Sequence, residues 1–525
     1  MKLKKVFAAV LASSMLLLTG CGGSNNAAND ATKKDGEIKD GGTITFAVGG
    51  DPKGLNPMYG NDRVTMTINN AIYSPLYVIN DGKYEYYLAD SMKNSEDYLH
   101  YTLKLKEGLK WDDGKPLTAD DVVFTLDKIM DKSQNCMKRE DFMIDDKPVQ
   151  YKKVDDVTVE FTLPTLDMSF PSKLSDFSPI AKHVYEGETD ISKSPKNDEP
   201  IGSGPYKFKE FKKGESVTLV RNDNYFGNKA HIDTVVYRVI PDANSSKSAF
   251  LSGEVSALYI SPQSVNDFKD KANIITFDEG MNNNIIFMMK NPNLAKVEVR
   301  QAIAYALDKT ELLKASEIST DYAELAYSVF TPDVPQFTND VEKYDKNIDK
   351  AKELLKNAGV ENIKLKLTYT TGDKGQETQA LIIQKSLKEI GIDIELVPME
   401  RNAFIQKLFT PKTNDAFDIA FNGYVMGNDP SSYGSIFKTG GGNNFIEFSD
   451  DKVNELFNKA NIETDSKKRD EIYVDIQKLL AEELPIYPIC YPKSIVALDK
   501  KIGGADEAQP APIFMFRNLG KLYIK

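Results

Sequence analysis

Between residues 351 and 421 the sequence switches repeatedly between two hydrophobic periods, and this alternation constrains the fold more than any other feature. Ala351, Leu354, Leu355 and Ala358 recur at helical spacing, and Gly359 follows as a C-terminal cap. Ile363, Leu365, Leu367 and Tyr369 then alternate as a strand. A second helix carries Ala380, Ile383 and Leu387 and ends at Gly391, after which Ile392, Ile394 and Leu396 form the next strand. A helix near Ala403 to Phe409 precedes an apolar strand from Phe417 to Phe421. The order β-α-β-α-β implies parallel strands in an open α/β sheet. No GxGxxG opens any of these helices, which argues against dinucleotide binding. No short fixed repeat is present, which argues against a solenoid.

The first half has strand-like pieces at Thr43 to Val48 and Tyr101 to Leu105, with turns at Gly49-Gly50-Asp51-Pro52, Gly108 and Gly114. Thr118 with Asp121 three residues on predicts an acidic capping box that starts a helix. Val299, Ile303, Ala306 and Leu307 share one helix face. A chain of 525 residues exceeds what one core organises, so two or three domains are expected.

Composition excludes several chemistries. The formal net charge is −12, and no dense Lys/Arg run interleaved with aromatics occurs, which disfavours nucleic acid as a partner. The three cysteines (Cys21, Cys136, Cys490) are no disulfide framework, and Cys136 and Cys490 read as unpaired structural residues. The three histidines (His100, His183, His231) are far apart, and no CxxC, HExxH, GxSxG or GxxxxGK[ST] pattern is present. No metal, cofactor or catalytic residue is therefore expected.

Residues 1–20 carry Lys2, Lys4 and Lys5 before an apolar run from Val6 to Leu18, too short to span a bilayer comfortably. Leu18-Thr19-Gly20-Cys21 resembles a bacterial lipobox, which would make Cys21 a lipidated mature N-terminus. Residues 21–40 contain almost nothing apolar and read as a flexible tether.

Several motifs taken in order resemble the bacterial extracellular solute-binding proteins of family 5, the oligopeptide, dipeptide and nickel-type receptors. They are Gly41-Gly42-Thr43-Ile44, Leu55-Asn56-Pro57, Tyr73-Ser74-Pro75-Leu76, the stretch Leu103 to Val122, Gly202-Ser203-Gly204-Pro205-Tyr206, and Val299 to Ala306. The resemblance implies an α/β, type II periplasmic-binding-protein-like fold: two lobes around a hinge, with an accessory subdomain in the first lobe. Lobe one would comprise 41–290 plus 495–525, with the accessory subdomain at about 78–200, and lobe two 291–494. The chain would cross between lobes near 285–290 and 491–496, and the 202–206 turn would lie near the junction. The implied function is the extracytoplasmic component of an ABC importer, a monomer that captures short peptides and delivers them to a permease and ATPase complex.

The ligand site is expected where the apolar strand ends, at Phe421 to Pro430, since open α/β sheets bind ligands at strand C-termini. In peptide receptors of this family an aspartate four residues before the proline of an acidic-Pro pair meets the ligand ammonium. Here Met426 occupies that place, and Asp429 is the nearest carboxylate. Asp429 is equally well read as a turn residue before Pro430. Asn428 and Tyr424 flank it. Asn444 and Phe445 follow the Gly440-Gly441-Gly442 loop, and Asn282 and Asn284 precede the first crossing; asparagine amides suit peptide bonds and equally suit loop turns. Arg401 begins a helix and offers a fork for a carboxylate, or is a surface residue. Trp111, the only tryptophan, reads as core. Competing readings are a receptor for a nickel chelate, sugar or opine, a peptide-sensing receptor, or a surface hydrolase.

Overall fold

The computed structural model describes residues 38, 40–80, 82–408 and 416–525; the expectations for the leader, Cys21 and most of the tether lie outside the described residues. One twelve-stranded sheet runs through the molecule. Its first part orders the strands Tyr206–Lys212, Ser216–Arg221, Thr234–Val239, Thr43–Val48 and Ala257–Tyr259; its second orders Met281–Phe287, Ile419–Val425, Ile363–Thr370 and Ile392–Met399. The strand Ile486–Asp499 lies between them and belongs to both.

The register along that strand divides its partners into sets. Residues 493–499 pair with Ala272–Asp278, Lys493 opposite Asp278. Residues 486–490 pair with Met281–Phe287, Cys490 opposite Asn283. Glu279 and Gly280 lie between these two pairings on one segment, while on the long strand Tyr491 and Pro492 pair with Glu324 and Ala323 of the strand Ala323–Leu325. Ile285, Ile286 and Phe287, in the 285–290 segment read from sequence as a crossing, pair with Phe421, Ala420 and Ile419. Gly280 turns there with φ +64°, and a Cβ on it would sit 2.8 Å from the Asp333 carboxylate.

Separate cores form on the two sides. One gathers Ile44, Phe46, Trp111, Leu126, Phe161, Leu498 and Leu522. It joins the accessory elements, including the four-stranded sheet around His100–Leu105 and the helix Ala119–Met130, to the main sheet of the first lobe. On the other side one layer contains Ile303, Leu365, Ile383 and Leu387, and a second contains Phe330, Tyr433, Phe457 and Ile476. Fully burying each such aliphatic or aromatic side chain contributes about 1.5–3 kcal/mol.

Local rules set the elements that support the site. Thr118 and Asp121 form the capping box: the Asp121 carboxylate accepts from the Thr118 N–H at 2.9 Å, and also from the Lys182 N–H at 2.9 Å. Strands Ile363–Thr370 and Ile392–Met399 are parallel, and the helix Lys374–Lys388 joins them. The helix Arg401–Leu408 follows. The Gly202–Tyr206 turn makes its contacts within the first lobe: the Gly204 N–H donates to the Ile72 carbonyl at 2.7 Å, and the Gly202 N–H to Asp112 Oδ2 at 2.8 Å. A Cβ on Gly202 would fall 2.1 Å from the Ile72 oxygen, so that glycine is required by packing. The helix Val297–Ala306 is buried on more than its apolar face; Arg300 is 2% exposed and donates to the carbonyls of Leu294, Ala295 and Glu483, closing chain ends that packing hides from water.

Candidate functional site

A polar cavity of about 450 Å³ lies between the accessory elements of the first lobe and the second lobe. Such a volume falls within the roughly 300–1,000 Å³ of small-ligand sites. The second-lobe wall is the segment that follows the strand Ile419–Val425. Gly427, with φ +71°, bends the chain there, and Asp429 caps the short turn Pro430–Tyr433 by accepting from the Ser431 N–H at 2.9 Å. Ser432 Oγ donates to the carbonyls of Met426 (2.9 Å) and Asp429 (2.6 Å), which fixes the loop against the strand end.

The first-lobe wall comes from the turn Met137–Phe142 and the short helix Phe170–Lys173. Asp167 organises that helix, accepting from the Ser169 N–H (2.9 Å), Ser169 Oγ (2.6 Å) and Lys173 Nζ (2.7 Å). Ser169, Ser172 and Ser175 all line the cavity.

The walls touch. The Asn428 side-chain amide donates to the Ile79 carbonyl at 2.7 Å, and the Met168 N–H donates to the Asn461 carbonyl at 2.8 Å. Burial pushes the Asp429 carboxyl above the ordinary carboxylate range, opposed by hydrogen bonds from Ser431 and from Ser172 on the opposite wall. Burial raises Asp141 likewise, and Lys138 and Lys173 oppose that shift. The cavity thus offers carboxylates, ammonium groups, hydroxyls and backbone carbonyls together, the set that recognises a zwitterion with amide bonds.

Of the residues singled out from sequence, Asn428 and Asp429 line this cavity. The others lie elsewhere or are committed to their own lobe. The Tyr424 hydroxyl donates to the Val329 carbonyl at 2.5 Å. Asn282 is fully buried and donates to the carbonyls of Ser328 and Val329; Asn284 donates to the Asn282 carbonyl. Asn444 closes its own loop, donating to the carbonyls of Lys438 and Phe448 and accepting from the Phe448 N–H. Phe445 is half-buried against the second-lobe core, and Arg401 is exposed at the start of its helix. In Asn282, Asn284 and Asn444 the protein's own carbonyls take the side-chain N–H groups, while Asn284 Oδ1 is buried without a partner. Trp111 is fully buried in the first core, and Cys136 and Cys490 are buried free thiols.

Sequence reading missed Lys138, Asp141, Lys173 and Asp176, which face the second-lobe loop only through tertiary packing. One signal was available: serines at 169, 172 and 175 recur every three residues and present hydroxyls on one face of a turn. Among the described residues no group of three His, Cys, Asp or Glu side chains could hold a metal ion, and no helix is long and apolar enough to cross a membrane.

Two lobes joined by a shared strand and closing on a polar cavity define a two-lobed binding protein of the type II periplasmic class. The model of the bacterial extracellular solute-binding proteins, family 5 (Middle), matches residues 83–445, and the chain belongs to that family. It is 30% identical to the oligopeptide-binding protein AppA of Bacillus subtilis over 96% of both chains. Among solved structures it resembles the ABC transporter substrate binding protein CtaP from Listeria monocytogenes, at 44% identity and TM-score 0.89, covering 93% of this chain and 100% of that one. It also resembles the Bacillus subtilis oligopeptide-binding protein AppA in complex with a nonapeptide, at 27% identity and TM-score 0.79, again covering 93% and 100%.

Proposed function

We propose that this chain is the peptide receptor of an ABC importer: it captures short peptides between its lobes and presents the closed form to a permease and ATPase complex. The observation that carries this reading is the Asp429 loop, a carboxylate at a strand end that faces hydroxyls and cations across an interlobe cavity. The AppA relatives, one of them in complex with a nonapeptide, support peptide as the ligand class. Asp429 meets the ligand ammonium in place of the position occupied by Met426. Lobe one comprises residues 41–279 and 493–525 and lobe two 281–490, with the 279–280 and 491–492 passages as hinge. The protein binds without hydrolysing, acts as a monomer, and is held at the outer face of the cell membrane by lipid on Cys21 through the tether 21–40.

The experiment is mass spectrometry of ligand co-purified from cells, followed by incubation of the emptied protein with a mixed peptide library. Retained and unshortened peptides are expected. A retained non-peptide solute, or steady turnover of the library, would overturn the reading. Cys21→Ser should release the mature protein from membranes; a variant still membrane-bound after a high-salt wash would remove the anchor.

A further inference from the structure

Glu279 is committed at both of its carboxylate oxygens. It stands between the strands Ala272–Asp278 and Met281–Phe287 and is 4% exposed. Oε1 pairs with the Arg63 guanidinium and accepts the Ile513 N–H at 3.2 Å, and Oε2 accepts from Ser494 Oγ. Arg63 opens the helix Arg63–Ile72 and lies 4.9 Å from the centroid of the Tyr259 ring. The three donors come from pieces of chain whose near neighbours Ile68, Val496 and Met515 lie in the first-lobe core. A buried carboxylate held this way has little freedom, since giving up a donor leaves a desolvated charge without its partner.

Ile513 adds a second observation. It holds φ +69° and Met515 holds φ +66°, a conformation unfavourable for any residue with a Cβ and more so for a β-branched one. Two bonds keep Ile513 there: its N–H donates to Glu279, and its carbonyl accepts from Thr67 Oγ1 at 2.8 Å. Backbone strain of this kind persists where the surroundings over-determine it, and it gathers at sites that bind or switch.

Ser494 extends the hold to the long strand, where it lies opposite Phe277. Just before it the Lys493 N–H donates to the Tyr322 carbonyl at 2.8 Å, and Pro492 lies opposite Ala323. Glu279 thus fastens two neighbouring strands at one level, next to the point where each changes partners. The residue after it, Gly280, has φ +64° and no Cβ, so it can take up backbone rotation that its neighbours resist.

We propose that Glu279 is a positioning residue for ligand capture: it pins both crossing strands to the first lobe, so that the rotation closing the lobes is taken up at Gly280 and at Tyr491–Pro492. The inference rests on the hinge placed above at 279–280 and 491–492. Glu279 does not line the interlobe cavity, so it acts on capture only through where the lobes turn.

The test uses the purified protein emptied of ligand, with the mixed peptide library as probe. Library retention is read by mass spectrometry, the radius of gyration by small-angle scattering, and hydrogen exchange over residues 277–283 and 490–496. Glu279→Ala should retain the library at least about threefold less well, and residues 277–283 of the ligand-free variant should exchange at least about threefold faster. Glu279→Gln, which keeps an oxygen for the Ile513 N–H, should recover most of the loss. Val235→Ala, a cavity in the first-lobe core, should lower the melting temperature without changing retention or closure. Should Glu279→Ala not melt cooperatively, Arg63→Met removes the ion pair from an exposed arginine and should shift retention and exchange the same way. Wild-type retention and exchange in the Glu279 and Arg63 variants, or an equal loss in Val235→Ala, would overturn the positioning role. A wild type that closes on the library with exchange unchanged in both segments would overturn the hinge placement and this inference with it. A wild type that retains no peptide would overturn the peptide reading alone, and exchange in the ligand-free variants would still decide the role of Glu279.

Discussion

The Asn428 side-chain amide reaches across the cleft and donates to the backbone carbonyl of Ile79 at 2.7 Å. Because the acceptor is main chain, no substitution at residue 79 short of a backbone shift removes it. Separating the two walls by more than hydrogen-bond reach would break this bond. Asn428→Ala should therefore favour the open form and weaken ligand affinity about two- to tenfold, the equivalent of about 0.5–1.5 kcal/mol. Calorimetry gives the affinity, and small-angle scattering gives the radius of gyration at sub-saturating ligand. An unchanged affinity would mean that closure does not depend on this bond.

Asp429 has two tasks that one substitution separates. Asparagine still accepts from the Ser431 N–H as a cap but carries no charge. Asp429→Asn should weaken peptide binding by more than tenfold, at least about 1.4 kcal/mol, with little change in melting temperature. The raised carboxyl also predicts the pH response. Holding an ammonium requires the ionised form, so wild-type affinity should fall as pH drops through that raised range, while the asparagine variant stays flat. Stability of the ligand-free protein moves the other way: the folded carboxyl binds its proton more readily than the unfolded one, so this group disfavours folding as pH rises. An N-acetylated peptide that binds the wild type as well as its free amine would return Asp429 to a turn role.

Gly280 stands between the strands Ala272–Asp278 and Met281–Phe287 with φ +64° and the Asp333 carboxylate against it, at the proposed hinge. Gly280→Ala should cost about 1–2 kcal/mol from the left-handed backbone alone, with a further cost as Asp333 moves aside. The expected readouts are a lowered melting temperature and an altered amplitude of closure on ligand saturation. A variant with wild-type stability and closure would show that the backbone turns elsewhere.

Lys309 is enclosed between two rings, its ammonium 4.4 Å from the Tyr327 centroid and 4.6 Å from that of Tyr487, and it donates to the Ala326 carbonyl. Burial lowers its pKa to about 7, and the rings offset part of that cost. Between pH 7 and the ordinary lysine value near 10.4 the unfolded chain holds this proton and the folded chain releases it, so stability from this group rises with pH through that window. Lys309→Met should therefore stabilise the protein most at pH 7 and below, with its advantage shrinking by roughly 2 kcal/mol by pH 9. Chemical denaturation of both proteins at pH 6, 7.5 and 9 measures this; a constant difference would mean that Lys309 keeps its charge in the folded state.

What could be read before folding was whatever a few neighbouring residues decide. Thr118 and Asp121 cap a helix because they are three residues apart, and Gly359 and Gly391 end helices because φ is +65° and +86° there. Asn282 to Phe287 has the composition of a strand whichever neighbours take it; its pairing, Ile285 with Phe421 and Tyr487, is set by tertiary structure. The strand-end loop at Asp429 was legible from the α/β rhythm. Lys138 and Asp176 were not, since nothing within their own segments indicates that Ser432, far along the chain, lies across the same cavity. The asparagines were over-read for a related reason: an amide suited to a peptide is equally suited to a carbonyl of its own chain, and Asn282 and Asn444 found those partners first.

The shared strand Ile486–Asp499 also makes the second lobe a detachable cassette. If the lobes divide near Glu279–Gly280 and beyond Pro492, the two connections lie on strands that pair directly, Asp278 opposite Lys493 and Asn283 opposite Cys490. Neighbouring strands lie only about 4.8 Å apart, so a tight turn could bridge the gap with little loop-closure entropy. A receptor with that connection keeps Lys138, Asp176 and Arg517 on the retained part and loses the Asp429 loop. Recombining the retained part with the second lobe of a relative would then exchange the Asp429 side of the cavity without touching the opposite wall.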